Sequence, residues 1–549
     1  MEIIDSQEMI FKGYTKRDTT IIKGFAILCI VLHNYFHWIW PAPGQNEFDF
    51  DPYRVFKLFE LLAAQPGDFV RLLLSFFGHF GVQLFVLLSG FGLAVKWNEQ
   101  TKGNLQALST YHFPFSALRK LYPLLLTGVV VCLFGCILME GRLFNAQEWR
   151  EIGFKMLFIH TLIPNSGLSI NGPWWFFGLI FQLYLLFPLL FRCIRKWGWK
   201  AFLVVLLVSY GMIFLFRDAL NLHHGEILLQ NAPAHLPEFA LGILLAFSKD
   251  KKIHWIWLLL AVVLFTWGNF APGFFPFTFL SLCVITVFVT QKWKAARGKW
   301  KLKKGQTRKG IHAILNGLHY IGGLSMLLFV VHGYFRMPVL KAAETMKGPL
   351  GHLASGLLFF LLVWGIAMAA KPFYLWLQRL FGKWKTEEVK KASFRSVLSK
   401  VVTLLLVLFY LYVLVYYIRQ NLAARHPDRP LVSTIHAENG QVQRDDRNVM
   451  LASFPLESRP LMVHVEGSFD FKQEGGGTVL PNLVMEIPQV RWISKTLQPK
   501  DADWTHYTFS YDYARSFIDR IQEKDLKLYF WNSNQAEMQF RNVTITADY

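Results

Sequence analysis

The stretch Ile21-Ile22-Lys23-Gly24-Phe25-Ala26-Ile27-Leu28-Cys29-Ile30-Val31-Leu32-His33-Asn34-Tyr35-Phe36-His37-Trp38 decides how this chain is read. It is long and apolar enough to cross a bilayer as a helix, yet it carries His33 and His37 one helical turn apart. Hydrocarbon offers no water to imidazole, so a histidine at membrane depth faces a cavity or a partner helix. At 1.5 Å per residue, His33 is expected roughly 15 Å beyond Lys23, near the middle of a core roughly 30 Å thick. Imidazole also exchanges protons near neutral pH. Two readings of His33 stay open on residues alone: a chemically active group, or a packing histidine bonded to a backbone carbonyl or a neighbouring helix.

The rest of the chain repeats this character. Its 549 residues are 53% hydrophobic, with 51 Phe and 19 Trp, the composition of a polytopic α-helical membrane protein. Eleven membrane segments are expected, at 22–40, 79–97, 121–139, 174–193, 201–217, 233–248, 254–270, 274–291, 316–338, 351–371 and 398–419. The sixth is the weakest, because Pro233, His235, Pro237 and Glu238 interrupt its start. No cleavable signal peptide is expected, since the first apolar stretch is long and lacks a small-residue cleavage pattern.

Charge orients the segments. Arg17 and Lys23 mark the start of the first, and Arg119 and Lys120 precede the third. Arg192, Arg195, Lys196 and Lys200 follow the fourth, and Lys249, Lys251 and Lys252 the sixth. The connection from Lys292 to Lys309 is the densest, and a further basic run extends from Arg379 to Lys400. These basic connections alternate, so the positive-inside rule predicts an integral cell-membrane (plasma or inner membrane) protein with its N-terminus in the cytoplasm and its C-terminal region outside. The net charge of +20 therefore reports topology and anionic lipid, with no nucleic-acid partner expected. The five cysteines (Cys29, Cys132, Cys136, Cys193, Cys283) all fall in predicted helices. No disulfide framework is expected outside, and Cys132 and Cys136 read as packing residues, with no metal site.

From His426 the character changes and the balance turns acidic. Leu461–Val465, Leu483–Ile487, Leu526–Trp531 and Phe540–Thr546 alternate or are rich in β-formers, separated by turn clusters such as Gly475-Gly476-Gly477. Residues 426–549 suffice for one all-β sandwich domain. Trp504–Phe509 with the two strands that follow looks like the close of a jelly-roll, carbohydrate-binding type of module. The expected organisation is a ten-helix membrane core over 1–375, a basic linker and eleventh helix over 376–425, and an extracytoplasmic β-sandwich over 426–549.

Several segments, taken in order, resemble the acyltransferase family 3 integral-membrane acyltransferases. "IIKGFAILCIVLHNYFHW" resembles that family's opening helix, with Lys23 where Arg is common and His33 at the histidine. "GVQLFVLLSGFGL" (Gly81 to Leu93) is similar to its G-x-x-x-F-x-x-x-S-G-F helix. "PWWFFGLIFQLYLLFPLL" (Pro173 to Leu190), "LPEFALGILLA" (Leu236 to Ala246) and "IGGLSMLLFVVHGYFRMP" (Ile321 to Pro338) resemble three further family segments. The chain departs at the Arg-x-x-Arg pair often found before the third helix, having Ala117 and Lys120 there, and at the acidic pair preceding Gln-Phe-Tyr, where it has Ile180 and Phe181.

The resemblance implies an O-acyltransferase. It implies acyl-CoA as the cytoplasmic donor, acetyl-CoA in the first instance, without a metal. The implied acceptor is a hydroxyl of an extracytoplasmic glycan or its lipid-linked precursor. Acyl transfer needs a base or a nucleophile, a role for neutral His33. Gln182 and Tyr184 are candidate oxyanion donors, and His332 and Glu238 further candidates. Lys23, Arg119 and Lys120, at the inner surface, are candidates for the donor's phosphates or plain topological anchors. A proton-coupled or solute transporter using His33, Gln182 and Glu238 is the alternative, and a receptor with a sugar-binding ectodomain a third reading.

Overall fold

In a computed structural model of the protein, the described residues are 14–39, 41–48, 53–100, 113–163, 166–216, 226–247, 254–300, 307–343, 345–388, 415, 432–455, 462–474, 480–487, 491–497, 503–514, 525–532 and 535–548. The expected segment 398–419 thus lies outside the described residues except at Val415, as do Lys249, Lys251, Lys252, Lys301, Lys303 and Lys304. The chain divides into two compact units, Met1–Arg217 with Leu222–Tyr410, and Asp218–Asn221 with Leu411–Tyr549.

The first unit is helical: α1 (Lys16–Phe36), α2 (Tyr53–Ala64), α3 (Phe69–Phe77), α4 (Gly81–Gln100), α5 (Phe113–Glu140), α6 (Ala146–Met156), α7 (Trp175–Trp197), α8 (Trp199–Phe216), α9 (Glu226–Leu229), α10 (Ala232–Phe247), α11 (Trp255–Gly268), α12 (Phe277–Trp300), α13 (Thr307–Val331), α14 (Arg336–Ala343) and α15 (Gly348–Glu388). Each of the first ten expected segments meets one of these helices. Among the described residues, six runs are long and apolar enough to cross a membrane: Lys16–Phe36, Pro66–Glu99, Arg119–Glu140, Gly172–Trp197, Gly310–Val331 and Gly348–Phe381. Trp199–Leu215, Ala232–Phe247 and Trp255–Gly268 are shorter apolar helices. The core is a polytopic helical membrane protein.

Local chemistry sets the helix ends. Thr15 and Asp18 form a reciprocal capping box that starts α1, satisfying two orphan N–H groups, and Lys294 pairs with Asp18 at 2.7 Å. The other end of α1 falls at Phe36, short of the expected residue 40. Pro41 and Pro43 supply no N–H to continue the ladder, and the buried guanidinium of Arg71 donates instead to the carbonyls of Ile39 and Pro41 at 2.8 and 2.9 Å. Asp68 balances that charge at 2.6 Å and also meets Nδ1 of His352 at 2.9 Å. α13 likewise stops at Val331 where continuation to 338 was expected. Asn171 and the Trp174 indole both donate to the Val330 carbonyl, at 2.9 and 2.8 Å, and so cap the end of α13. α15 runs on past residue 371 to Glu388, held by buried Leu377 and by Phe381 stacked near Tyr122, so the expected boundary at 375 falls within one helix.

Glycine lets the backbones close. A Cβ on Gly24 would lie 1.9 Å from the Leu318 carbonyl oxygen, and one on Gly322 equally close to that of Thr20. α1 and α13 therefore touch backbone to backbone, the small-residue packing that membrane helices use in place of a hydrophobic drive.

The second unit is an antiparallel β-sandwich. β1 (Val432–Ala437), β2 (Gly440–Val442), β4 (Met462–Glu474), β7 (Thr505–Ala514) and β9 (Glu537–Asp548) form one sheet in the order β1-β9-β4-β7, with β2 on β9. β3 (Asn448–Pro455), β5 (Asn482–Ile487), β6 (Arg491–Thr496) and β8 (Asp525–Trp531) form the other, in the order β3-β8-β5-β6. Their inward positions, among them Val463, Val465, Phe469, Leu483, Leu528, Phe530 and Ile545, make one buried core, as the alternating pattern required.

Candidate active site

At the end of the helical unit where α1, α5 and α13 finish and α4 and α7 begin, a cavity of about 940 Å³ opens. Its floor is a cluster of imidazoles. His33 projects from the last turn of α1, 5% exposed, not from the middle of its helix as the expected ends implied. Its ring centroid lies 5.3 Å from that of His37 and 5.5 Å from that of His79. His79 stands in the tight turn Gly78–Phe80 that joins α3 to α4. Gly78 permits that approach, since a Cβ there would press within 2.7 Å of the Cys29 carbonyl and of His33 Cβ.

The hydrogen bond of His33 fixes its chemistry. Nδ1 faces the Leu74 carbonyl oxygen at 3.3 Å. A carbonyl only accepts, so Nδ1 carries the proton and Nε2 of the neutral ring keeps its lone pair. His332, just past the end of α13, is held the same way: Nδ1 donates to Phe329 O at 2.9 Å, and buried Nε2 has no hydrogen-bond partner among the described residues.

A carboxylate stands behind His79. Glu47 Oε2 lies 3.7 Å from its Nδ1, presented by a loop in which Asn46 accepts from the Phe48 N–H at 2.8 Å, a local Asx turn. Burial holds the Glu47 proton on well above the ordinary carboxylate range, up to about pH 7. The walls are aromatic and charged. Trp175 packs edge-on against Phe48 at 5.1 Å. The guanidinium of Arg336 lies 4.4 Å over the Trp38 ring, and Glu140 at the rim pairs with Arg142 at 2.6 Å.

The other expected site residues lie elsewhere. Gln182 donates to Asn231 and Thr161 and accepts from the Ala232 N–H, so its amide ties α7 to the entry of α10. Tyr184 is hydrogen-bonded to Ser89. Glu238 is fully buried against His235, 3.2 Å from Nδ1, while His235 Nε2 donates to Leu229 O at 2.9 Å. None of these, nor His332, lines the cavity, although His332 is close enough to His33 for their charges to interact. Lys23 and Arg119 are half-buried and Lys120 exposed near the starts of α1 and α5, at the end of the unit away from the cavity. Lys23 and Lys120 share a cationic cluster with Lys96 of α4. The sequence reading did not single out His79, Glu47 or Arg336. The one available signal was His79 in Gly78-His79-Phe80-Gly81, at the head of a membrane segment. Among the described residues, no three His, Cys, Asp or Glu side chains converge on a metal-binding geometry.

The fold is that of a polytopic helical membrane protein with a histidine-lined cavity at one end of its helical unit. Comparison with known families identifies the class: residues 19–376 match the family 3 acyltransferase model, described as "Acyltransferase domain", and the chain belongs to that family. The chain is also similar to the curated protein "Acyltransferase MdmB" of Streptomyces mycarofaciens, at 30% identity over 140 residues. That match covers 25% of this chain and 34% of the relative, so it spans about a third of the relative's length. No solved structure matches.

Proposed function

We propose that the protein moves an acyl group, in the first instance acetyl, from cytoplasmic acyl-CoA to a hydroxyl of an extracytoplasmic glycan or its lipid-linked precursor. The observation that carries this reading is the cavity of His33, whose Nδ1–H is committed to Leu74 and whose Nε2 is thereby the basic atom. In this reading the acceptor O–H gives its proton to His33 Nε2 while its oxygen attacks the thioester carbonyl. The C–S bond breaks, and the imidazolium returns the proton to the departing thiolate. Glu47, 3.7 Å from His79 on the same cavity wall, would compensate the transient positive charge once it is ionised, above about pH 7.

Charge supports the orientation. Lys16, Arg17 and Lys23 begin α1, Arg195 and Lys196 end α7, and Lys292 and Lys294 lie late in α12. By the positive-inside rule that end faces the cytoplasm and the cavity opens outward. The Lys23, Lys96 and Lys120 cluster then suits the phosphates of the donor, with Arg119 beside it. The β-sandwich, exposed on the outer side in this topology, would hold the glycan.

The test is incubation of the purified protein, reconstituted in lipid, with radiolabelled acetyl-CoA and extracted surface glycan. Label in the glycan supports the reading. No label across a panel of acyl-CoA donors and glycan acceptors overturns it. Neutralising Lys23, Lys96 and Lys120 together should raise the KM for acyl-CoA, and an unchanged KM would remove their assigned role.

A further inference from the structure

The cavity holds a cation that forms no ion pair among the described residues. Arg336 begins α14 and lies over Trp38, and its Nε is buried without a hydrogen-bond partner among the described residues. The carboxylates on the cavity wall are committed elsewhere: Glu140 to Arg142 at 2.6 Å, and Glu47 to the neighbourhood of His79 at 3.7 Å. Lys341, one and a half turns along α14, lines the same cavity and likewise forms no ion pair among the described residues. Arg336 is half-buried and its guanidinium lines the cavity, so the buried Nε lacks a partner while the rest of the fork faces the space a ligand would fill. That planar fork matches a carboxylate or phosphate through two parallel N–H···O bonds. Arg336 and His33 line the same cavity, so an anion held by Arg336 shares that cavity with the basic Nε2. The exposed Trp38 ring, with half-buried Tyr334, supplies flat apolar surface of the kind that packs on a sugar ring.

We infer that the cavity selects an anionic acceptor, a saccharide bearing a carboxylate or phosphate gripped by Arg336 and Lys341, with a neighbouring hydroxyl presented to His33. This rests on the reading of the cavity as the acceptor site and names the class of acceptor it takes. The Lys23, Lys96 and Lys120 cluster occupies the other end of the helical unit, so donor phosphates are not needed to explain Arg336.

The inference is tested by binding alone, apart from turnover. Saturation-transfer NMR on the full-length protein in phosphatidylcholine nanodiscs, without any acyl donor, would compare glucuronate, glucose 6-phosphate and glucose. One or both anionic sugars should bind at least about ten-fold more tightly than glucose, the scale of a charge-assisted pair. Arg336→Gln should erase that preference, and Lys341→Gln, a rim substitution that leaves the packing intact, should reduce it. Equal binding of glucose, or a preference that survives both substitutions, would overturn the inference. Two further arms identify the anion's source. If nanodiscs containing phosphatidylglycerol abolish the sugar signal, the cations serve a lipid headgroup. If Arg336→Gln weakens coenzyme A binding and leaves the sugars unaffected, they serve the donor. Either result overturns the assignment to the acceptor. A protein that prefers anionic sugars yet transfers no acyl group would leave this inference standing while the proposed reaction fails.

Discussion

His33 and Leu74 are joined by a hydrogen bond from an imidazole Nδ1–H to a main-chain carbonyl oxygen, 3.3 Å long. That bond settles the tautomer and leaves Nε2 as the basic atom at the cavity floor. Leu74 belongs to α3, the short helix that opens the apolar run Pro66–Glu99, and its placement depends on the buried Arg71 of the same helix.

Arg71→Met should therefore disturb His33 from a distance. The substitution leaves Asp68 buried without its cation, a cost of about 3–5 kcal/mol, and frees the carbonyls of Ile39 and Pro41. We expect reduced membrane abundance and a lower melting temperature in detergent. Asp68→Asn with Arg71→Met should recover part of that loss, because no uncompensated charge remains. Equal melting temperatures of wild type and Arg71→Met would show the clamp to be dispensable.

The contact between α1 and α13 leaves no room for side chains. Gly322→Leu should separate the two helices, with a loss of several kcal/mol characteristic of overpacking against backbone. Gly323, with open space around its Cβ position, supplies the control: Gly323→Ala should fold normally. Expression level and size-exclusion profile of the two variants decide the point.

Glu47 should give stability a pH dependence. Burial raises its folded pKa to about 7 from an ordinary 4.5. Between those values the folded chain binds one proton more than the unfolded chain, so this contribution is present below pH 4.5 and is lost as pH rises through about 7. Glu47→Gln should flatten that slope in melting curves recorded from pH 4.5 to 8. If Glu47 compensates the His33 imidazolium as proposed, the same substitution should also remove a rise in turnover centred near pH 7.

Asp470 in β4 behaves in the opposite sense. His506 at 2.7 Å, Asn542 at 2.8 Å and Arg541 hold its carboxyl below the ordinary range. Its contribution is present above pH 3.8 and is lost as pH falls through the lower folded value. Circular dichroism of the β-rich signal during acid titration should show Asp470→Asn losing that acid-sensitive component, and superimposable wild-type and variant curves would rule it out.

The helices and the sandwich were legible because each is written as a repeat: membrane-length apolar runs, and alternation in 426–549 that recurs in β4, β5, β8 and β9. His33 stood out because an ionisable group in such a run is costly. The rest of the cavity was hidden because it is assembled from chain ends: Glu47 from a loop, His79 from a single tight turn, Arg336 from the start of a short helix. No periodicity links such residues. Gln182, Tyr184 and Glu238 illustrate the converse limit. Position along a helix follows from residue count, but the neighbour each face meets does not, and these side chains are bonded to Asn231, Ser89 and His235.

The most direct test of the account is acyl transfer by wild type and His33→Ala, purified to equal abundance and reconstituted with labelled acyl-CoA and glycan. Loss of the base should lower turnover by about 10²–10⁴-fold, with the elution profile and melting temperature unchanged. Transfer by His33→Ala at the wild-type rate would contradict the central assignment.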